Sequence, residues 1–263
     1  MFLAQLSDLH ILEPDTAEEH YLDNNQRLVS AVASLNAESP RPSAVVITGD
    51  LTNWGTAIEY EQLTSRLAEL DIPFLPLGGN HDNRDRMRAA FPQIAWVDAT
   101  HASWSIVVDG VRVIGLDSTV PGLPGGECDA ERAEWLAREL TDSAEPTVLA
   151  LHHPPFLSGI EWMDVAGFQG LELLTEVLET APPPGLIICG HLHRPIHSVV
   201  AGIRASVGIS TVQHVALDLT VNAPVSLILD PVGYQIHALD QGAWVTNTRY
   251  IETGQEPFAP GWS

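Results

Sequence analysis

The sequence predicts an α/β fold with helices outside two packed sheets, and three observations carry that prediction. Strand and helix signals alternate from Phe2 to Cys189, and helical periodicity vanishes after His193. Of the 263 residues, 45% are apolar and only 17% charged, which is enough to build a substantial core.

Each element follows from its local pattern. Phe2 to Leu6 is a short apolar run ending in Ser7-Asp8-Leu9-His10, Asn25 to Ala37 has helical spacing through Leu28, Val32 and Leu35, and Ala44 to Thr48 is a β-branched strand. Ala57 to Leu70 places Tyr60, Leu63, Leu67 and Leu70 on one helical face; Pro73 to Leu77 is the next strand and Asp85 to Phe91 a short helix. Trp104 to Val108 and Val111 to Leu116 form a hairpin around Asp109-Gly110, a favoured two-residue turn. A helix over Asp129 to Leu140 can use Asp129 as its N-cap. Thr147 to Leu151 then reads as a buried strand, Phe168 to Thr180 as a helix and Leu186 to Cys189 as a further strand. Beyond His193, the runs His197 to Val200, Ile203 to Val207, Gln213 to Leu219, Val225 to Leu229 and Tyr234 to Ala238 predict a mostly antiparallel second sheet. Residues 1–253 read as a single domain, and the Pro- and Gly-rich stretch 254–263 as an extended tail.

Composition narrows the chemistry. Lys and Arg total 12 against 34 Asp and Glu, a formal net charge of −22, which repels a nucleic-acid backbone. Any phosphate chemistry therefore needs a local positive centre, and a bound metal would supply one. The N-terminal run has no basic segment and is interrupted at Ser7-Asp8, so neither a signal peptide nor a membrane span is expected, and the cytoplasm is the expected location. Two cysteines, Cys128 and Cys189, do not make a disulfide framework.

The polar residues fall at strand ends. Asp8 and His10 follow the first strand, Asp50 the second, Asn80-His81-Asp82 the third, His152-His153 the Thr147 to Leu151 strand, and His191 and His193 the next. Loops beyond the carboxyl ends of strands in an α/β sheet converge on a shared crevice. Pairs at i and i+2, as in Asp8-x-His10 and His191-x-His193, are expected to leave the sheet on one side because side chains alternate along a strand. The same alternation points His153 away from such a site.

Asp8-x-His10, Gly49-Asp50-x-x-Asn53, Gly79-Asn80-His81-Asp82, His152-x-Pro154 and Gly190-His191-x-His193 match the calcineurin-like metallophosphoesterase signature in order and spacing. Within that superfamily the chain resembles the bacterial class III cyclic nucleotide phosphodiesterases and the related glycerophosphodiesterases, with softer support from Leu116-Asp117-Ser118, Glu134-Trp135-Leu136 and Leu151-His152-His153-Pro154-Pro155. Gly78 departs from the pattern, standing where Pro commonly precedes Gly-Asn-His.

The resemblance implies a four-layer α/β/β/α sandwich of two mixed sheets holding two divalent metal ions (Mn2+, Fe2+/Fe3+, Zn2+ or Co2+). By motif, Asp8, His10 and His193 would hold the first ion, Asn80, His152 and His191 the second, and Asp50 would bridge both. The implied reaction is attack of a metal-bridging hydroxide on phosphorus of a small phosphodiester, of cyclic nucleotide or glycerophosphodiester type. His81 is expected over the substrate as hydrogen-bond donor or general acid, Asp82 behind it as the group that orients the imidazole, and Asn80 close to the same phosphoryl group. His20, Tyr21 and Asn24 are expected to line the substrate entrance, His214 to contact substrate, and Arg194 to face phosphate or solvent. The expected partners are the small diester and a second copy of the chain, as a homodimer or higher homo-oligomer, with no membrane and no nucleic-acid polymer. The alternatives are a phosphomonoesterase or nuclease of the same superfamily, and a non-catalytic scaffold on the same fold. The complete ligand set together with His81 favours catalysis.

Overall fold

The computed structural model describes residues 1–98 and 100–251, so the tail expected at 254–263 lies outside the described residues. In chain order the elements are β1 (Phe2–Leu6), α1 (Ala17–Leu22), α2 (Asn24–Asn36), β2 (Ala44–Thr48), α3 (Ala57–Leu67), β3 (Phe74–Leu77), α4 (Arg84–Ala90), β4 (Trp104–Val108) and β5 (Val111–Leu116). There follow β6 (Thr119–Val120), β7 (Leu123–Glu127), α5 (Ala130–Thr141), β8 (Thr147–Leu151), α6 (Glu161–Asp164), β9 (Phe168–Gln169), α7 (Leu171–Thr180) and β10 (Leu186–Cys189). The C-terminal strands are β11 (Ile196–Val200), β12 (Ile203–Val207), β13 (His214–Val215), β14 (Leu227–Ile228), β15 (Gly233–Asp240) and β16 (Ala243–Tyr250).

Two mixed sheets form the centre, one ordered β16-β15-β1-β2-β3 and the other β11-β12-β10-β8-β5-β4. Their alternating faces divide the core. Val113, Val148, Ala150 and Ile188 of the second sheet belong to one core cluster with Leu3, Ala44 and Val46 of the first sheet, and that cluster continues through Val45 on the first sheet's other face to Leu28 of α2 and Leu63 of α3. Ile114, Leu149, Leu151 and Ile187 face the other way, onto Leu136 of α5 and Leu174 of α7. The layers are therefore α2–α4, sheet, sheet, and α5 with α7, the predicted four-layer α/β/β/α sandwich.

Apart from β13 and β14, which pair only with each other, the strands after His193 do not make a separate second sheet. β11 and β12 extend the sheet of β10, whereas β15 pairs antiparallel with β1 and carries β16 at the edge. The helix expected from Phe168 starts only at Leu171, because Gly170 is left-handed and a Cβ there would lie 2.1 Å from the Cys128 carbonyl, while Phe168–Gln169 pairs with β7 as a strand. Asp109 and Gly110 both have positive φ, 49° and 76°, as the hairpin turn requires. Both cysteines are buried and unpaired. Among the described residues no helix is long and apolar enough to cross a membrane.

Candidate metal centre

The carboxyl ends of β1, β2, β3, β8 and β10 point to one place, and the backbone there is bent hard. Asp8 (φ 53°), His10 (42°), Asp50 (47°), His191 (71°) and His193 (57°) are all left-handed, a region where non-glycine residues are uncommon and cost about 1 kcal/mol or more each. The pairs at i and i+2 thus converge through tight turns rather than by strand alternation. Around His191, the Leu192 amide donates to the Gly190 carbonyl at 2.8 Å, closing a strained three-residue turn. Gly190 itself has no room for a side chain: a Cβ would sit 2.4 Å from the Thr48 carbonyl oxygen and 2.5 Å from Ser7 Oγ.

Seven predicted ligands meet here. His10 Nε2 lies 3.1 Å from His193 Nε2 and 3.5 Å from Asp50 Oδ2. On the other side of the same carboxylate oxygen, His152 Nε2 is 3.4 Å away, and it is 3.2 Å from Asn80 Oδ1. His193 Nε2 is 3.7 Å from Asp8 Oδ1, and the His191 ring stands edge-on to His152 with centroids 5.2 Å apart. Asp50 is therefore placed between two donor groups.

The donor set fits cations. His10 Nδ1 pairs with Asn53 Oδ1 (3.1 Å), His152 Nδ1 with the Thr48 carbonyl (2.8 Å) and His193 Nδ1 with the Gln213 carbonyl (2.8 Å). These oxygens only accept, so each Nδ1 must carry a proton and each ring, when neutral, aims its Nε2 lone pair inward. Two such lone pairs face each other at 3.1 Å between His10 and His193, an arrangement that a positive ion between them relieves. Burial lowers His10 and His191 to about 3, while His152, against its burial, is raised to about 9 by Asp50. Burial raises Asp8; in Asp50 burial also pushes upward, but His152, by charge and hydrogen bond, together with His10 and His81 outweighs it and holds the carboxyl well below its usual range. The pocket thus keeps His10 and His191 neutral and gathers positive charge on His152 beside Asp50, a place that a cation would take.

The remaining predicted residues divide. His81 stands at the rim, with its amide donating to Asp50 Oδ1 (3.0 Å) and its ring edge-on to His10 at 4.7 Å. Its Nδ1 pairs with the Asn53 carbonyl at 2.8 Å, which leaves Nε2 as the presented atom. Asp82 does not orient that ring. Its carboxylate accepts from the amides of Leu51, Thr52 and Gly79 and from the hydroxyls of Thr52 and Tyr60, so it clamps the turn after β2 to the turn after β3. His20 and Tyr21 are exposed on α1 (Tyr21 is 74% accessible) and are not gathered with the cluster. Asn24 is fully buried and donates to the His10 carbonyl at 2.7 Å, so it braces the turn rather than lining an entrance. His214 is buried on β13 beside the Gln213 carbonyl that holds His193, and burial lowers it to about 4. Arg194 donates to the Val215 carbonyl at 2.6 Å. His153 is closer to the site than alternation suggests: its ring packs on His152 at 4.7 Å and His191 at 4.8 Å, while Nδ1 pairs with Ser118 Oγ.

Asn53 is the residue whose role the motif left unassigned. It tethers His10 through its side chain and His81 through its carbonyl. Its substitution by Ala is expected to remove only the first tether and weaken metal affinity about 10- to 100-fold, the usual effect of losing a partner behind a ligand. Competition with a chelator measures this, and unchanged affinity would show that His10 needs no such support.

Two openings flank the cluster. A polar one of about 380 Å3 includes Asn80, Arg84 and Thr119, and an apolar one of about 250 Å3 includes His191, Phe156, Met163 and Phe168.

Buried carboxylates and imidazoles at the carboxyl ends of strands from both sheets of a four-layer sandwich define a metal-dependent phosphoesterase. The chain belongs to the calcineurin-like phosphoesterase family, which it matches over residues 1–195. It is 32% identical, over 98% of its length and 96% of the relative's, to a probable glycerophosphodiester phosphodiesterase of Arcobacter nitrofigilis. It is 34% identical to a cAMP/cGMP dual specificity phosphodiesterase of Mycobacterium tuberculosis, over 84% of this chain and 70% of that one. In fold it is similar to a dimetal phosphatase of Danio rerio, with a TM-score of 0.69 at 12% identity, covering 95% of this chain and 96% of that one.

Proposed function

We propose that the protein is a binuclear metal-dependent phosphodiesterase for small phosphodiesters. Asp8, His10 and His193 would hold one ion, Asn80, His152 and His191 the other, and Asp50 both; Mn2+, Fe2+/Fe3+, Zn2+ and Co2+ all suit this mixed imidazole and carboxylate set. The observation that carries the reading is the inward-facing set of Nε2 lone pairs on either side of one Asp50 oxygen. Relatives named for glycerophosphodiester and cyclic nucleotide substrates support the diester class. The net charge of −22 argues against a polynucleotide.

Two bound divalent ions would supply Lewis-acid charge for a phosphoryl oxygen and a nucleophile at neutral pH. The chain's own residues do the rest. Two carboxylates, Asp8 and Asp50, against four nominal metal charges leave the pocket positive for an anionic ester, and the neutral side chains of Asn80 and the four histidines preserve that charge. His81, held through Nδ1 by the Asn53 carbonyl, presents Nε2 at the rim, where in its protonated form it can donate to a phosphoryl oxygen or to the leaving alkoxide.

Kinetic comparison of 3′,5′-cyclic nucleotides, glycerophosphodiesters, and aryl mono- and diesters with each of the four metals tests the reading. Faster turnover of diesters than of the matching monoesters is expected. The reverse order would make the protein a phosphomonoesterase, and no metal uptake with no hydrolysis would make it a scaffold.

A further inference from the structure

A buried polar thread runs from the outer edge of the first sheet to the Asp8 carboxylate, and the donor at every link can be assigned. We propose that this one-way hydrogen-bond chain, Thr246 to His237 to Gln5 to Thr48 to Ser7 to Asp8, positions the Asp8 carboxylate for its ion, with His237 and Gln5 as positioning residues of the metal centre. The proposal rests on the reading of Asp8 as a metal ligand.

The assignment starts at Gln5, the fourth of the five residues of β1 and fully buried. Its Nε2 lies 2.7 Å from the Cys189 carbonyl oxygen, which can only accept, and 2.9 Å from Thr48 Oγ1. Both amide protons are thereby used, and Oε1 must be the atom facing His237 Nε2 at 2.9 Å. His237 therefore carries its proton on Nε2, and its Nδ1 accepts from Thr246 Oγ1 at 2.9 Å. Burial lowers His237 to about 3, in keeping with a neutral ring of one fixed tautomer. Toward the site, Thr48 Oγ1 receives the Gln5 proton and donates its own to Ser7 Oγ at 2.8 Å, a shorter contact than the 3.3 Å to the Leu6 carbonyl. Ser7 Oγ then donates to Asp8 Oδ2 at 2.6 Å. The other carboxylate oxygen, Oδ1, accepts from the His191 amide at 2.8 Å.

All five links thus donate in one direction, toward the carboxylate. Aligned hydrogen bonds in a low-dielectric interior polarise one another, and the terminal acceptor gains most when it is an anion. The thread is also a brace. Gln5 ties β1 to β2 through Thr48 and to β10 of the other sheet through Cys189, one residue before Gly190. The Thr48 carbonyl receives Nδ1 of His152. One amide thus sets the spacing of turns that carry ligands from both sheets.

The test is stepwise Mn2+ affinity, by chelator competition, alongside the melting temperature of the metal-free protein. His237→Leu leaves Gln5 Oε1 buried without a donor, so both the melting temperature and the affinity for one of the two ions should fall, the latter about 10- to 100-fold. His237→Gln, which can still donate to Gln5, should restore both. The double variant Gln5→Leu with His237→Leu removes donor and acceptor together. Because the brace from Gln5 to Thr48 and Cys189 goes with it, the double variant should regain only part of the melting temperature lost in His237→Leu, yet keep the full loss of affinity for one ion, a split that a purely structural role does not produce. Wild-type affinity for both ions in the double variant, an equal loss for both ions, or no rescue by His237→Gln would each overturn the proposal. A wild-type chain that takes up no Mn2+ would overturn the metal-centre reading itself, and the relay with it.

Discussion

Asp50→Asn is expected to reduce bound divalent metal from two ions per chain to one or none, and diester hydrolysis by on the order of 10^3-fold, the scale of losing a principal electrostatic element. Asp50 Oδ2 is 3.5 Å from His10 Nε2 and 3.4 Å from His152 Nε2, the two facing donor groups. An amide nitrogen at that position would donate to both ring nitrogens, doing for the metal-free protein what cations do in the loaded one. The variant should therefore still fold, but it loses the Asp50 charge that raises His152, so its metal-free melting temperature should fall modestly below that of the parent. Metal content by elemental analysis after dialysis, read beside thermal melting, checks both halves. Two retained ions would show that Asp50 is not shared.

His81→Ala has a different expected signature. Both metals should stay, because the ring is fastened to the Asn53 carbonyl and only its backbone amide touches Asp50, an interaction alanine keeps. The rate should fall about 10^2-fold or more, on the scale of general acid–base contributions. The dependence on the leaving group identifies the role. A deficit that is large for alkyl esters and small for nitrophenyl esters assigns proton donation to the leaving alkoxide. An equal deficit for both assigns a hydrogen bond to the phosphoryl group, and loss of a metal would refute the placement at the rim.

Much of this was legible in the sequence, for a physical reason. Strands buried on both faces must be apolar throughout, so Thr147–Leu151 and Leu186–Cys189 appear with the predicted bounds. The candidate ligands were legible because few residue types bind metal and because parallel strands put their loops at one end. Strand partners were not. Tyr234–Ala238 reads as a strand but says nothing locally of its pairing with β1, whose register joins Phe2 to Ala238. β16 escaped notice because an edge strand with exposed Val245, Asn247 and Arg249 lacks the buried run that marks the others. Side-chain tethers were hidden in the same way. Asp82 follows a histidine in sequence, which suggested a carboxylate behind an imidazole, yet its hydrogen bonds go to the neighbouring Gly79 amide and to Thr52, 30 residues away in the chain. Gln5 and His237 are single polar letters within apolar strands, and only the packing of strands separated by 232 residues brings them together.

The five left-handed residues at the centre bear on how this chain divides its free energy between folding and chemistry. At about 1 kcal/mol or more apiece, their backbones together cost an amount comparable to the net stability of a whole domain. A polypeptide optimised only to stay folded would carry glycine at those places. This one carries two aspartates and three histidines, so its active turns are held in shape by the rest of the sandwich and would relax if freed from it. An excised ligand loop is therefore a poor mimic of the site, and a transplant of the centre into another scaffold must import the surrounding walls as well as the seven side chains.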